Sequence, residues 1–204
     1  MFDLERELRE SAGLVDGEPA PLNVDAAEAA GLVDLAYAMH DSPVGPLLLV
    51  ATPRGLLRIA YTDTPGQSVE EVLARLAQQI SPRILAAPRR LDADRRQLDE
   101  YFAGARERFE LPIDWSLCAG FGRRVLGATA RIPFGALKTY KQVAAEAGSP
   151  RGSRAAGNAL GANPLPIVVP CHRVVHSSGG LGGYTGGLER KRVLLGVEGH
   201  RPMV

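Results

Sequence analysis

Cys171, His172 and Arg173 are consecutive in a chain with only two cysteines and four histidines. A thiol beside an imidazole and a guanidinium is the composition of a nucleophile. Thiolate is the reactive form, and neighbouring cations lower a cysteine's pKa. An imidazole can take the thiol proton, and a third group should orient the ring. The only acids after Trp115 are Glu146, Glu189 and Glu198, and Glu198 is the candidate carboxylate. Successive side chains of an extended strand point to opposite faces. His172 therefore reaches Cys171 directly only if the backbone turns there, and otherwise acts through a water. The competing reading is an inert buried cysteine behind a core strand. That reading suits Cys118, which has no histidine or basic residue within four positions.

What surrounds the thiol narrows the chemistry. Two cysteines are too few for a disulfide scaffold or an all-cysteine zinc site, and the histidines have no ligand-like spacing with them, so no metal is expected. The segment Ser177-Ser-Gly-Gly-Leu-Gly-Gly-Tyr-Thr-Gly-Gly187 does not fit G-x-G-x-x-G and lacks a phosphate loop's Gly-Lys-Ser/Thr. No nucleotide cofactor is indicated. Such a loop can instead wall a pocket in which a flat group lies against backbone amides. The longest apolar run, around Leu47 to Ala51, is far too short to span a bilayer. The acidic start Met-Phe-Asp-Leu-Glu-Arg-Glu has no signal-peptide core. The expectation is a cytoplasmic monomer with no membrane partner.

The elements that must position these residues fall into three stretches. Residues 1 to 35 form an extension, with short helices expected over Asp3 to Ser11 and over 25 to 34. Residues 36 to 87 form a small α/β domain. Its strands are Leu35 to Met39, Leu47 to Thr52 and Leu56 to Tyr61, followed by a helix over Ser68 to Ile80 that Ser68 and Glu71 cap as a box. A linker over Ser81 to Arg90 leads into residues 88 to 204. There, helices are expected over Leu91 to Ala103, Gly120 to Ile132 and Thr139 to Ala147, the last boxed by Thr139 and Gln142. Glu110 to Asp114 is extended. Ser149-Pro150 starts a further helix running to about Leu160, and the pair reads as a helix-turn-helix. Ile167 to Val169 reads as a buried strand, and Leu188 to Leu195 as a closing helix.

The net charge of +1 conceals an asymmetry. Residues 1 to 87 carry a net −7 and residues 88 to 204 a net +8; from Trp115 onward there are twelve basic residues against three acidic ones. Basic charge clustered with a helix-turn-helix is a nucleic-acid footprint. The recognition-like helix reads Arg151-Gly-Ser-Arg-Ala-Ala-Gly-Asn-Ala-Leu-Gly161. Alanine and glycine do not read base edges, but they let a helix approach a minor groove only about 6 Å wide. Arg154 is then the long side chain on a smooth face.

Pro170-Cys-His-Arg-Val174 resembles the active-site motif of the O6-alkylguanine-DNA alkyltransferases, the methylated-DNA–protein-cysteine methyltransferases. Ile132-Pro-Phe-Gly, Thr139-Tyr140, Arg154-Ala-Ala-Gly-Asn, Asn163-Pro and Gly182-Gly-Tyr-Thr-Gly-Gly-Leu-Glu-Arg-Lys191 stand in the family's order and spacing. The resemblance is strong over residues 88 to 200 and loose over 35 to 87. It implies a ribonuclease-H-like α/β layer followed by a mostly α domain with the helix-turn-helix. It further implies repair of double-stranded DNA by base flipping, with stoichiometric transfer of the alkyl group from O6-alkylguanine, and from O4-alkylthymine, to Cys171. His172 is the implied base acting through water, Glu198 orients it, and Asn163 braces the turn. Arg154 fills the gap left by the flipped base, on a helix face with Ser153, Ala155 and Gly157. Tyr140 turns the nucleotide and protonates the leaving guanine. Tyr184, Thr185 and Gly186 line the base, and the Val174 backbone reads its amino group. One departure is Phe121-Gly-Arg-Arg-Val-Leu126, where the family usually has Gln at the second position and Trp at the last. A non-catalytic sensor of alkylated DNA is the alternative, against which Cys171 itself argues. An S-adenosylmethionine methyltransferase, suggested by Asn163-Pro-Leu-Pro, would need a glycine-rich cofactor loop that the chain lacks.

Overall fold

The structure, a computed structural model, describes residues 31–200. The two short helices expected before residue 35 fall largely or wholly outside that range. The chain opens with strands β1 (Leu35–His40), β2 (Leu47–Thr52) and β3 (Gly55–Tyr61), then helix α1 (Val69–Gln79) and strand β4 (Ile84–Ala86). The sheet order is β3-β2-β1-β4, antiparallel except that β4 runs parallel to β1. The expected linker thus contains a fourth strand. Its three residues lie between Pro82 and Pro88, too short a run to carry a period of its own.

β2 is apolar and buried along its whole length because both faces of the sheet are covered. Leu48 and Val50 point to α1, where they meet Val72 and Leu76. Leu47, Leu49 and Ala51 point the other way, into a core shared with the helical half. This is the two-residue period of a strand buried on both sides. α1 begins as expected, with Ser68 and Glu71 each capping the other's backbone N–H.

The second half contains α2 (Asp92–Phe102), α3 (Gly120–Thr129), α4 (Tyr140–Glu146), α5 (Ser153–Gly161) and α6 (Leu188–Val197). Two short strands, β5 (Lys138–Thr139) and β6 (Val174–Val175), pair in parallel and tie the start of α4 to the residues following Cys171. The Thr139–Gln142 box caps α4. α5 starts at Ser153 with Gly152 before it, later than the Ser149-Pro150 start expected. The Gly152 amide instead donates to the Ser149 carbonyl, which closes a turn over Pro150 and Arg151. Leu126 of α3 is buried in the shared core. Gly122 on the same helix lies opposite Ala159 of α5.

The free edge of β3 positions the rest. On it the Leu56 amide donates to the Pro112 carbonyl at 2.9 Å and the Asp114 amide to the Leu56 carbonyl at 2.9 Å, so the extended 112–114 segment joins the sheet. The approach is so close that a Cβ on Gly55, whose φ is +133°, would sit 2.2 Å from the Pro112 oxygen. Three residues on from Leu56, the Ile59 amide donates to the Pro164 carbonyl at 2.8 Å and anchors the loop that leads to Cys171.

Candidate active site

Ile167 to Val169 forms turns instead of the expected strand. Pro164, Pro166 and Pro170 lack amide hydrogens, and a run with three missing donors does not sustain a ladder. Ile167 adopts φ +76°, the one positive φ outside glycine among the described residues. A β-branched residue there costs about 1–3 kcal/mol and persists only where the surroundings hold it. The holding groups are visible. The Val169 amide donates to the Leu165 carbonyl at 2.8 Å, and the Asn163 side chain clamps the turn from inside. Asn163 Oδ1 accepts from the Leu165 amide at 3.0 Å, and its Nδ2 donates to the Val169 carbonyl at 2.9 Å and to Cys171 Sγ at 3.2 Å.

Cys171, His172 and Arg173 then form one 3₁₀ turn, with the Arg173 amide donating to the Pro170 carbonyl. The backbone does turn, yet His172 does not swing towards the thiol. Its Nε2 lies 2.7 Å from Glu198 Oε1, and both side chains are fully buried. The carboxylate accepts, so Nε2 carries the proton and Nδ1 holds the lone pair. Nδ1 is buried and meets no protein partner.

Glu198 is the most heavily bonded group of the site. Besides His172 it accepts from Arg173 Nε at 2.9 Å and Nη2 at 2.9 Å, from the Tyr101 hydroxyl at 2.8 Å and from the Gly135 amide at 3.1 Å. Burial raises its pKa, but the bonds from His172 and Arg173 outweigh that and hold it down at about 2. The fork of an always-charged guanidinium balances the carboxylate. Burial pushes the His172 pKa down, and the cationic Arg173 and Lys191 add to that against the pull of Glu198. The imidazole is therefore neutral and able to accept a proton.

Arg173 had been expected to act on the thiol; its guanidinium instead holds Glu198 and donates from Nη1 to the Ile132 carbonyl at 2.5 Å. The cation that lowers the Cys171 pKa is Lys191, whose buried Nζ donates to the carbonyls of Val174, at 2.6 Å, and Leu181. Burial still dominates, so the thiol is pushed up from its ordinary range despite Asn163 and Lys191. Burial brings Lys191 itself down to about 8.

Cys171, itself only 6% exposed, forms the floor of a cavity of about 500 Å³. Ser153, Arg154, Gly157 and Leu160 of α5 line one side, and Tyr140, Gly183, Tyr184 and Thr185 the other. The Tyr140 ring lies against Gly157 and packs on His176 with centroids 5.1 Å apart. The Thr185 hydroxyl donates to the Gly161 carbonyl at 2.7 Å, joining the glycine-rich loop to the end of α5. Arg154 is exposed. An open cavity floored by a thiol, flanked by a smooth helix and backed by a carboxylate–imidazole pair suits group transfer from a ligand that enters from the α5 side.

Family models match the whole of this arrangement. The ribonuclease-like domain of 6-O-methylguanine DNA methyltransferase matches residues 35–115, and the DNA-binding domain of the same protein matches residues 120–200. The chain belongs to the 6-O-methylguanine DNA methyltransferase family. Among the relatives is the methylated-DNA–protein-cysteine methyltransferase of Mycolicibacterium paratuberculosis, 38% identical over 80% of this chain and 92% of that one. Another is its counterpart in Methanosarcina barkeri, 36% identical over 79% of this chain and 96% of that one. The solved Mycobacterium tuberculosis O6-methylguanine methyltransferase superposes with a TM-score of 0.68 at 36% identity, over 80% of this chain and 92% of that one. Mycobacterium tuberculosis OGT in complex with DNA gives 0.67 at 34% over the same shares.

Within this family frame the sequence-derived residues divide. Cys171, Tyr140, Arg154, Ser153, Gly157, Tyr184 and Thr185 line the cavity; His172, Glu198 and Asn163 stand behind its floor. Val174 is fully buried, and its carbonyl accepts from Lys191. Gly186 packs under the Tyr61 ring and gives its carbonyl to Arg190. Ala155 is exposed on α5, outside the cavity lining. The sequence reading missed Tyr101, Lys191 and Gly135. Only Lys191 had a signal, a lysine inside an otherwise matching glycine-rich motif. Among the described residues no cluster of three His, Cys, Asp or Glu side chains is set to hold a metal ion, and no helix is long and apolar enough to cross a membrane.

Proposed function

We propose that this chain repairs alkylated DNA by accepting the alkyl group of O6-alkylguanine, and of O4-alkylthymine, on Cys171 in a single turnover. The observation that carries the reading is the position of Cys171, which both floors the α5 cavity and sits on the Asn163–His172–Glu198 framework. Arg154 enters the duplex from α5 and occupies the space of the flipped nucleotide, whose extrusion costs a few kcal/mol. Neutral His172 takes the thiol proton at Nδ1 through a water, while Glu198 stabilises the imidazolium that forms. The thiolate attacks the alkyl carbon, the S–C bond forms, and the C–O6 bond breaks with its electron pair on O6. Tyr140 supplies a proton to the departing guanine. Because the thiol stays largely protonated when free, its reactivity depends on this relay.

In this reading the protein acts as a monomer. It works in the cytoplasm, where thiols remain reduced. The test is intact-mass measurement after incubation with a duplex carrying O6-methylguanine. The expected result is one added methyl group, located on Cys171 by peptide mapping. Binding to that duplex with no mass change would instead support the sensor reading.

A further inference from the structure

Tyr184 stands in the wall of the α5 cavity, whose floor is Cys171. Its own backbone does little to hold the ring there. Gly182 and Gly187, at φ +71° and +88°, bracket it within the glycine-rich loop. Thr185 ties the next residue to the Gly161 carbonyl of α5, which leaves the Tyr184 ring to other contacts. The ring is held at its tip. Its hydroxyl lies 2.7 Å from the hydroxyl of Tyr61, and this is the only hydrogen bond of either phenol among the described residues. Burial raises both pKa values, so both phenols stay protonated, one donating and the other accepting.

Tyr61 belongs to the ribonuclease-like layer and is set by rigid elements. It closes β3, pairs with Leu47 of β2 and is buried. The Arg190 guanidinium lies over its ring, 4.5 Å from the centroid. Gly186 packs against both rings so closely that a Cβ there would sit 2.6 Å from Tyr61 and 3.0 Å from Tyr184. Tyr61 thus supports the cavity wall from behind without lining the cavity itself. A side chain on a loop is placed more exactly when a residue on a strand locks it.

We infer that Tyr61 is a positioning residue for the base site: its hydroxyl holds the Tyr184 ring in the wall against which the flipped base lies. The inference rests on the alkyl-transfer reading above. Without the Tyr61 hydroxyl, the Tyr184 hydroxyl is left unpaired in a buried place, which disfavours that ring position by a factor of about 5 to 150. The ring escapes by turning towards water. The base then binds only the fraction of molecules whose ring is in place, and its apparent affinity falls by that fraction. Tyr61 makes no hydrogen bond to Cys171, His172 or Glu198, so the proton relay keeps its partners.

The experiment measures methyl transfer to wild type, Tyr61→Phe and the double variant Tyr61→Phe/Tyr184→Phe, from a duplex carrying O6-methylguanine and from the free O6-methylguanine base. In Tyr61→Phe the limiting rate on duplex and the second-order rate constant on free base should fall by the same factor, about 5- to 150-fold. The duplex concentration that gives half the limiting rate should stay as in wild type, because phosphate contacts are untouched. The pH profile should keep its shape, because the relay is untouched. Replacing both partners of a buried hydrogen bond with apolar groups of the same shape is nearly neutral, so the double variant should recover to within about threefold of wild type. A loss of folding alone would lower the fraction of protein methylated at saturation and leave these rate constants in place. Rate constants of Tyr61→Phe within about twofold of wild type would overturn the inference, as would a double variant no faster than the single one or a shifted pH profile. Absence of methyl transfer in wild type would instead overturn the alkyl-transfer reading itself.

Discussion

Replacing Glu198 with glutamine probes the group on which most of the site converges. The substitution keeps the shape but exchanges a charged acceptor for an amide with two donors, in a space already filled by donors from His172, Arg173, Tyr101 and Gly135. Arg173, only 5% exposed, would be left as a buried charge without its partner. Breaking a buried pair from one side costs about 3–5 kcal/mol. At about 2–4 °C per kcal/mol for a protein of this size, the melting temperature should fall by roughly 6–20 °C. Catalysis should suffer too, since the imidazole loses the acceptor that fixes its tautomer. Turning the carboxylate of a catalytic triad into an amide costs about 10⁴ in rate, and general base catalysis is worth about 10²–10⁴. The rate of methyl transfer, measured by quenched-flow and mass spectrometry well below the variant's melting point, should fall about 10²–10⁴-fold. A rate within threefold of wild type would refute the relay. The same carboxyl also predicts acid behaviour. Its pKa lies at about 2 in the fold against an ordinary 4.5. Its contribution, roughly 3 kcal/mol, is present above pH 4.5 and is lost as pH falls towards 2. Unfolding scans of wild type should steepen across that window relative to Glu198→Gln, and identical slopes would remove Glu198 as the source.

Arg154→Ala should slow transfer from duplex DNA far more than from free O6-alkylguanine, because Arg154 serves flipping; equal losses measured on the two substrates would refute that role. Labelling of Cys171 by iodoacetamide in a Cys118→Ala background, followed by mass spectrometry, should be slow at pH 7 and accelerate only as pH rises past the ordinary thiol range, since burial holds the proton on sulfur. A pH-independent rate would mean that the resting thiol is already ionised. Affinity for duplex DNA, measured by fluorescence anisotropy, should fall linearly in a log–log plot against salt, as counter-ion release requires. A flat plot would deny phosphate contacts to the basic half.

The parts legible in the sequence were those set by local chemistry. Ser68 with Glu71 and Thr139 with Gln142 are reciprocal caps that need only a four-residue window, and both helices start where those pairs place them. Leu47 to Thr52 read as a strand from its apolar run alone, and β2 has those bounds. β4 was not legible, because Ile84 to Ala86 is stabilised by parallel pairing with Leu35 to Tyr37, about fifty residues earlier. The reach of Arg173 was misjudged for a similar reason. Sequence adjacency placed it with Cys171, but the 3₁₀ turn rotates it towards a carboxylate 25 residues downstream. Tyr101, fully buried on α2, gave no sequence signal of its bond to Glu198, because a tyrosine on an apolar helix face ordinarily belongs to the core.

Arg190 connects the glycine-rich loop to the ribonuclease-like layer. It donates to the carbonyls of Val44 and Gly186, pairs with Asp63 and lies over the Tyr61 ring. A side chain with that many obligations constrains sequence drift on both sides at once. Across relatives, positions 63 and 190 should covary as a charge pair, and a chimera that joins one relative's sheet to another's helical half should remain active only when that pair is inherited together.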